Sequence, residues 1–504
     1  MLHALFGPHP ALPQRGKEKR PSNKGGGNDW LTKMLPEDMS DLARQYEAVN
    51  LMADPLLGYI KITKRIRGAS VASEQDLLDH PWLQRLRRIH QLQSAWWVFP
   101  GGEHSRFQHA LGAMHLSGEW ARRLYPNLAS LVGEVPSLAC VEETLRVAGL
   151  LHDVGHGPFG HFFDQNYLDR FSIDHEVIGR ALIGGELASI ISAMDASPSG
   201  SFAAGERIDP RWIADLIAEP ELPGRSVPAW VRALKPVLNG MYTADNLDYV
   251  PRDAYMCGVK VGPVDIERLM HYSFLGPEGM LLHQHGTQAL LLFLNARLYL
   301  YNNIYYHRTV RRIDLHMREI FRETIERILP GNPLDHLDRY RELTDWSLID
   351  TVDRWRHEGG RAAELSREWG RIVRRELKWR LIFEDYYEFS NLPEAFLYPQ
   401  PSDYVRRIRE ALPASLKDAS FEVDLASVDP RPQNPFTDPF PVNIYNPVSR
   451  AVERSAVAAL FRRRPIRTTL VRVFTDDTRQ LEALRGAVER ALYRKDSDLA
   501  EAVP

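Results

Sequence analysis

Cysteine is nearly absent: Cys140 and Cys257 are the only two in 504 residues, and each sits in an apolar stretch. That excludes a disulfide-stapled secreted scaffold and fits buried thiols in a reducing compartment. Long apolar runs are missing too. A membrane helix needs about 18 consecutive apolar residues, and the greasiest stretch, ALLLFLNARLYLY, is broken by Asn295 and Arg297. Nor does one charge dominate. Sixty-three Lys and Arg face 66 Asp and Glu, a formal net charge of -3, so no global field draws the chain to nucleic acid or to an anionic membrane. The first residues lack the basic start and apolar run of a signal peptide, and Pro8 and Pro10 interrupt them. Together these absences predict a cytoplasmic protein with no membrane partner.

What is present is ordinary globular material, 44% hydrophobic and 26% charged, at a length that suits two to four domains at about 100 to 200 residues each. Residues 1–30 hold Pro8, Pro10, Pro13, Pro21, the run Gly25-Gly26-Gly27 and several basic residues, which predicts a disordered basic tail. From 31 to 320 apolar residues recur at helical spacing in HALGAMHLSGEWARRLY, VEETLRVAGLLHDVG and QALLLFLNARLYLYNNIYYH. The expected core is therefore mainly α, with short strands at GYIKIT (58–63) and near AWWVFP (95–100) and a poorly patterned insert at 196–230. A helical extension is expected over 321–427. A Pro-rich connector and a small α+β module are expected over 428–504, built from VERSAVAALFRRR, TTLVRVFT and LEALRGAVERALYRK. The FRRRPIR run at 461–467 offers a basic surface for nucleotide, nucleic acid or a partner subunit. It lacks the interleaved aromatics of a single-strand binder and reads more readily as a solvated face.

The chemistry concentrates in AGLLHDVGHGPFGHFFD. An apolar helical run ends in His152-Asp153, and His156, His161 and Asp164 follow among glycines. His152 and His156 are four apart, which predicts a shared helical face, and Asp153 can turn its carboxylate to the same ion. A lone histidine is usually structural. Three histidines and two aspartates within thirteen positions at a Gly-rich helix end point to a divalent metal instead. Upstream, Arg106 and His109 in EHSRFQHALG lie three apart, one placed for phosphate and one for metal. Downstream, DNLDYVPRDAY sets Asp245, Asp248 and Tyr249 at helical spacing, which reads either as a distant carboxylate to close the coordination sphere or as an Asp-rich helix cap.

HSRFQH, HDVGHGPFGH, IDHE and DNLDYVPRD, in that order, together with DPLLGYIKIT and LLDHPWLQRLRRIHQLQSAWWVFPGG, resemble the HD-domain metal-dependent phosphohydrolases, in particular their deoxynucleotide triphosphohydrolase branch. The likeness covers roughly residues 50–320. It implies a helical HD core and metal ligands at His109, His152, Asp153 and Asp245, holding Mn, Mg, Fe or Zn. It also implies phosphate and proton-handling groups at Arg106, His156, His161, Asp164, His175 and Arg297. His161 is then the expected general acid, with Asp164 orienting its ring, His175 assisting, and Glu176 placed to bond His175 or simply to face solvent. Gln91 and Asp253 are implied near the 3′-hydroxyl, Tyr249 in the substrate pocket, and Leu92 and Tyr305 packed where a 2′-hydroxyl would need room.

The implied reaction splits a deoxynucleoside triphosphate into deoxynucleoside and triphosphate. The implied partners are a nucleotide substrate, an activating nucleotide and further copies of the chain. Asp79, Gln84 and Arg87 match a regulatory guanine-nucleotide site, although QRLRRI also reads as a solvated amphipathic helix. Three positions depart from the branch: Asn246 stands where a phosphate-binding lysine is common, and Tyr301 and Tyr306 are new in the pocket, with Arg308 expected to compensate. These departures keep open a second phosphohydrolase reading, on another nucleotide phosphate ester, and a third in which the protein senses nucleotides or binds nucleic acid.

Overall fold

The computed structural model describes residues 48–65, 71–218, 226–277, 279–389, 400–428, 443–453 and 467–492. The expected basic tail and nearly all of the FRRRPIR run lie outside them. The architecture is mainly α, as the helical periodicity predicts.

An antiparallel hairpin, β1 (Val49–Asp54) and β2 (Gly58–Thr63), opens the fold. It is followed by α1 (Pro81–Arg85), α2 (Arg106–Leu131) and α3 (Leu138–Leu151), then α4 (His161–Asn166) and α5 (His175–Gly184). After the insert come α6 (Ala244–Met256), α7 (Thr287–Leu300), α8 (Arg308–Ile328), α9 (Leu337–Glu342) and α10 (Asp345–Arg354). One large core joins these helices, with Trp82, Trp120, Phe163, Phe293, Phe321 and Trp369 all buried. Gly112 lets α2 and α6 meet closely, since a Cβ there would lie 1.8 Å from the Asp248 carboxylate. Among the described residues no helix is long and apolar enough to cross a membrane.

Helix α3 is buried on every side and still carries Glu142, Glu143 and Arg146. Arg146 pairs with Glu74 at 2.6 Å and Glu142 accepts from Ser197 at 2.8 Å. Neither oxygen of Glu143 has a hydrogen-bond partner among the described residues. Burial and then the Glu74 charge push its carboxyl well above the usual range. Its folded-state pKa thus exceeds the unfolded one, so its contribution to stability is complete at acid pH and drains away as pH rises. Glu143→Gln is expected to match the wild type in stability near pH 4 and to exceed it at pH 8, by an amount on the order of 1 kcal/mol or more. Thermal unfolding at the two pH values checks this.

Two local expectations differ from the structure. Residues Ala95–Trp97 form a single 3-10 turn and not a strand, because Trp96 stacks on His90 and packs at a tilt on Trp97, which in turn packs at a tilt on Phe159, instead of pairing along a backbone. The α+β module also begins well before 428. Its antiparallel sheet orders β3 (Arg380–Phe389), β5 (Arg467–Thr475) and β4 (Glu422–Val428), with β5 in the middle. The helices Pro401–Ala411 and Leu481–Leu492 close a separate apolar core around Ile408, Val471 and Val488. Within the Pro-rich stretch Asn443–Asn446 pairs in parallel with Gly279–His283 of the helical domain.

Candidate active site

Arg106 opens α2 behind Ser105, which caps the helix through a reciprocal bond with Gln108. The three-residue spacing puts Arg106 and His109 on one buried face. Apolar α3 ends at Leu151, so His152 and Asp153 emerge where the chain leaves the helix. Asp245 stands in the first turn of α6, behind the Thr243 cap.

The four side chains converge. His109 Nε2 lies 3.1 Å from Asp245 Oδ1, 3.2 Å from His152 Nε2 and 3.8 Å from Asp153 Oδ2. His152 Nε2 lies 3.4 Å from Asp153 Oδ1 and 3.7 Å from Asp245 Oδ1.

The outer nitrogens fix what these inner ones are. His152 Nδ1 donates to the Gly149 carbonyl at 2.8 Å, and His109 Nδ1 donates to Asp248 at 2.9 Å. In the neutral rings both Nε2 atoms then carry lone pairs aimed at each other and at carboxylate oxygens, an arrangement that a proton or a shared metal ion relieves. Burial alone would lower the His109 pKa, but hydrogen bonds to Asp245 and Asp248 push it up to about 10. Asp153 and Asp245 are held well below the usual carboxylate range by neighbouring cationic groups, against the effect of burial. Two imidazoles and two ionised carboxylates fit a divalent metal of the Mn, Mg, Fe or Zn kind.

Behind the metal ligands runs a chain of ion pairs that the sequence motifs do not assign. Asp248 grips Arg252 with both oxygens, at 2.7 and 2.8 Å, and Arg252 reaches Asp54 at the end of β1 at 2.8 Å. The i,i+4 spacing of Asp248 and Arg252 was its visible signal.

Four residues form a second cluster. Asp164 Oδ2 takes His175 Nδ1 at 2.7 Å and His161 Nδ1 at 3.3 Å, while His156 Nδ1 lies 3.7 Å away. The expected pairing of His161 with Asp164 is therefore shared, and His175 is the nearer partner. His175 turns to Asp164 and not to its neighbour Glu176, which is half-buried and lines the cavity. The Asp164 bond and charge, acting against burial, raise the His175 pKa.

His156 does not share a helical face with His152, because α3 has already ended. Its ring is fully buried and stacks on His175 at 3.6 Å between ring centroids, and neither nitrogen has a hydrogen-bond partner among the described residues. Burial and the nearby Arg106 and His175 charges hold it neutral. His109, His152 and Asp153 of the first cluster, and all four residues of the second, have donor atoms close enough together to hold an ion. The first adds the Asp245 carboxylate beside both imidazoles.

A cavity of about 540 Å³ opens over both clusters, within the range of small-molecule sites. His109, His152, Asp153, Asp245, Arg106, His161 and His175 line it, as do Gln91, Leu92, Tyr249, Asp253, Arg297 and Tyr305. Asp164 and His156 stand behind that lining. Arg106 Nη1 bonds Asp153 at 2.6 Å. The buried Nε atoms of Arg106 and Arg297 and the buried Oε1 of Gln91 have no protein partner among the described residues, so polar valences are left over beside the cavity.

Asp253 accepts from His104 at 2.8 Å and from the Tyr305 hydroxyl at 2.5 Å. Tyr301 and Tyr305 come from a π-helical turn, Tyr301–Tyr305, that continues α7, an irregularity frequent at functional sites. Asn246 donates to Asp245 at 3.2 Å. Arg308 is exposed and outside the lining; Arg311, one turn on, is the cavity arginine, and Asp424 of β4 grips it at 2.6 Å. Asp79, Gln84 and Arg87 lie outside this cavity. There Arg87 donates to Gln84 at 2.9 Å and covers the Phe107 ring.

The family model described as HD domain matches residues 106–225, a stretch that holds three of the four converging ligands. Asp245 lies beyond it. Deoxynucleoside triphosphate triphosphohydrolase SAMHD1 of Gallus gallus is 25% identical over 366 residues, 67% of this chain and 57% of that protein. The uncharacterized protein YwfO of Bacillus subtilis is 29% identical over 245 residues, 49% of this chain and 50% of its own length. The chain thus spans about half the length of the curated relatives it matches. A crystal structure of a hypothetical protein from Aquifex aeolicus shares the fold at a TM-score of 0.63 and 23% identity, covering 87% of this chain and 100% of that one. Residues 106–225 thus match the HD domain, and beyond that stretch the chain resembles the deoxynucleoside triphosphate triphosphohydrolases.

Proposed function

We propose that this protein hydrolyses deoxynucleoside triphosphates to deoxynucleoside and inorganic triphosphate. The observation that carries the reading is the metal-type ligand set in a cavity that also holds an exposed imidazole, His161, and guanidinium groups with unused donors. Water attacks the α-phosphorus, the bond from phosphorus to the 5′ oxygen breaks, and the deoxynucleoside leaves with a proton on that oxygen. A bound divalent metal supplies Lewis-acid polarisation of the phosphoryl oxygens and a more acidic water. Arg106 and Arg297 neutralise charge spreading over the phosphate. His161, exposed to the cavity, gives the proton to the 5′ oxygen, and the ion pair of Asp164 and His175 beneath it holds the ring in place. His156, kept neutral and buried, packs under His175.

For the sugar, Gln91 and Asp253 hold the 3′-hydroxyl, Tyr249 lines the same wall, and Leu92 with Tyr305 closes the space beside C2′. A hydroxyl pressed on that wall without a partner costs about 1 to 3 kcal/mol. Leu92→Ala is accordingly expected to raise kcat/KM for ribonucleotides relative to deoxynucleotides by roughly tenfold, as competition assays with paired substrates would show.

At the surface, Asp79, Gln84 and Arg87 supply the carboxylate and guanidinium that a guanine nucleotide needs. Activation by added GTP is expected and should vanish in Arg87→Ala; a wild type indifferent to GTP removes this part of the reading. Assembly into a homo-oligomer and a cytoplasmic location go with the same reading.

The direct test incubates the purified protein with Mn or Mg and each dNTP, alone and mixed, and separates the products by chromatography. Deoxynucleoside with triphosphate supports the reading. Cleavage only of another nucleotide phosphate ester would favour the second reading, which rests on Asn246 in place of a lysine and on Tyr301 and Tyr306 in the cavity.

A further inference from the structure

The segment between α3 and α4 carries His156 and delivers His161 to the start of α4, and its backbone takes a conformation that it does not prefer. Phe159 has φ +61° and Gly160 φ +54°, both in the left-handed region. A Cβ on Gly160 would lie 2.2 Å from Arg106 Nη2, so the turn presses directly on the phosphate-side arginine. Such a turn persists only where its surroundings over-determine it.

Its fastenings come from outside the HD helices. The Tyr340 hydroxyl donates to the Gly155 carbonyl at 2.7 Å, and Arg85 Nη1 donates to the His156 carbonyl at 2.5 Å. Asp345 Oδ1 accepts from the Phe159 amide at 2.8 Å.

The three side chains are fully buried and tied to one another. Arg85 also gives Nε and Nη2 to the Leu343 carbonyl, and its guanidinium lies 4.6 Å from the Tyr340 ring centroid. The second oxygen of Asp345 takes the His90 amide and Nδ1, each at 2.8 Å. Thr344, which caps α10, sets Asp345 at that helix's first turn. A bracket is thus drawn from α1, the end of α9 and the start of α10. It holds three successive points of one hexapeptide and touches neither the cavity lining nor a metal ligand.

We propose that Arg85, Tyr340 and Asp345 are positioning residues that hold the 155–160 turn and so aim His161 across the cavity. The idea rests on the role given to His161 above, but its physical half, the clamping of the turn, stands apart from any substrate. Each of the three bonds that the bracket makes to the turn ends on its backbone. Loosening it therefore leaves the ligands His109, His152, Asp153 and Asp245 in place while letting His161 drift, and misplacement of a reacting group lowers turnover more than binding.

Tyr340→Phe is the narrowest probe, because it removes one donor and keeps the ring that packs on Trp82 and Phe163. Hydrogen exchange read by mass spectrometry should show the peptide over 153–163 exchanging about tenfold faster, with the rest of the protein unchanged. Metal content should stay at the wild-type level, while kcat falls roughly tenfold at unchanged KM. Arg85→Lys, which reaches one carbonyl but not both, should give the same pattern, and Arg85→Ala a larger loss.

Unaltered exchange over 153–163 in both Tyr340→Phe and Arg85→Lys would overturn the proposal. So would faster exchange there with kcat within twofold of the wild type. If the wild type itself cleaves no dNTP, the function proposed above fails, and the exchange comparison still decides whether the bracket clamps the turn.

Discussion

Asp245→Ala and His152→Ala are expected to bind no stoichiometric metal and to lose roughly a thousandfold or more in turnover, several kcal/mol of transition-state stabilisation. The geometry sets that size. Each residue supplies one of the groups that meet at the His109 and His152 Nε2 atoms within 3.1 to 3.8 Å, and the carboxylates behind them are engaged elsewhere. Asp248 is committed to Arg252 and His109, and Asp164 to His175. Folding should survive, because removing Asp245 or His152 leaves the Asp248, Arg252 and Asp54 chain to hold α2, α6 and β1 together. Metal analysis with a melting curve separates loss of the ion from loss of the fold. A folded, metal-free Asp245→Ala protein with turnover intact would end the assignment.

His161→Ala is expected to behave differently: metal retained, KM nearly unchanged, and kcat down by about 10² to 10⁴, the usual range for general acid–base catalysis. Its side chain makes no contact with the metal ligands and is 55% exposed toward the cavity. A substrate with a nitrophenolate leaving group needs no proton on departure, so the defect should narrow sharply there. Asp164→Asn should fall between the wild type and His161→Ala. The imidazoles hold Asp164 ionised well below its usual range despite burial, and an amide in its place deprives His175 of its counter-charge and His161 of its anchor. Equal defects on nucleotide and nitrophenyl substrates would remove His161 from the proton-transfer role.

The placement of the ligand side chains was legible in part from local rules, although the resemblance and not the spacing singled out Asp245. Arg106 and His109 sit three apart on a helix, His152-Asp153 ends an apolar run, and Asp245 starts a capped helix. The path of the chain after Asp153 was not legible. The expected helical face shared by His152 and His156 assumed that the helix continues, whereas the glycines let the chain leave it and fold His156 beneath His175. Long-range partners were equally hidden: nothing near Gly155 or Phe159 announces that Tyr340 and Asp345 hold them, and the approach of Asp424 to Arg311 depends on how two cores pack. The Trp96-Trp97 pair read as a strand from its composition, but aromatic packing on His90 and Phe159 overrides that propensity. The α+β module was placed too late because β3 belongs to a sheet whose central strand, β5, comes last in sequence.

In the proposed reaction water attacks the α-phosphorus and the deoxynucleoside departs with its own 5′ oxygen. Hydrolysis of dGTP in ¹⁸O-labelled water, with both products weighed by mass spectrometry, tests it most directly. One labelled oxygen in the triphosphate and none in the deoxynucleoside is the predicted result. Label in pyrophosphate, in a deoxynucleoside monophosphate or in the deoxynucleoside itself would contradict the account.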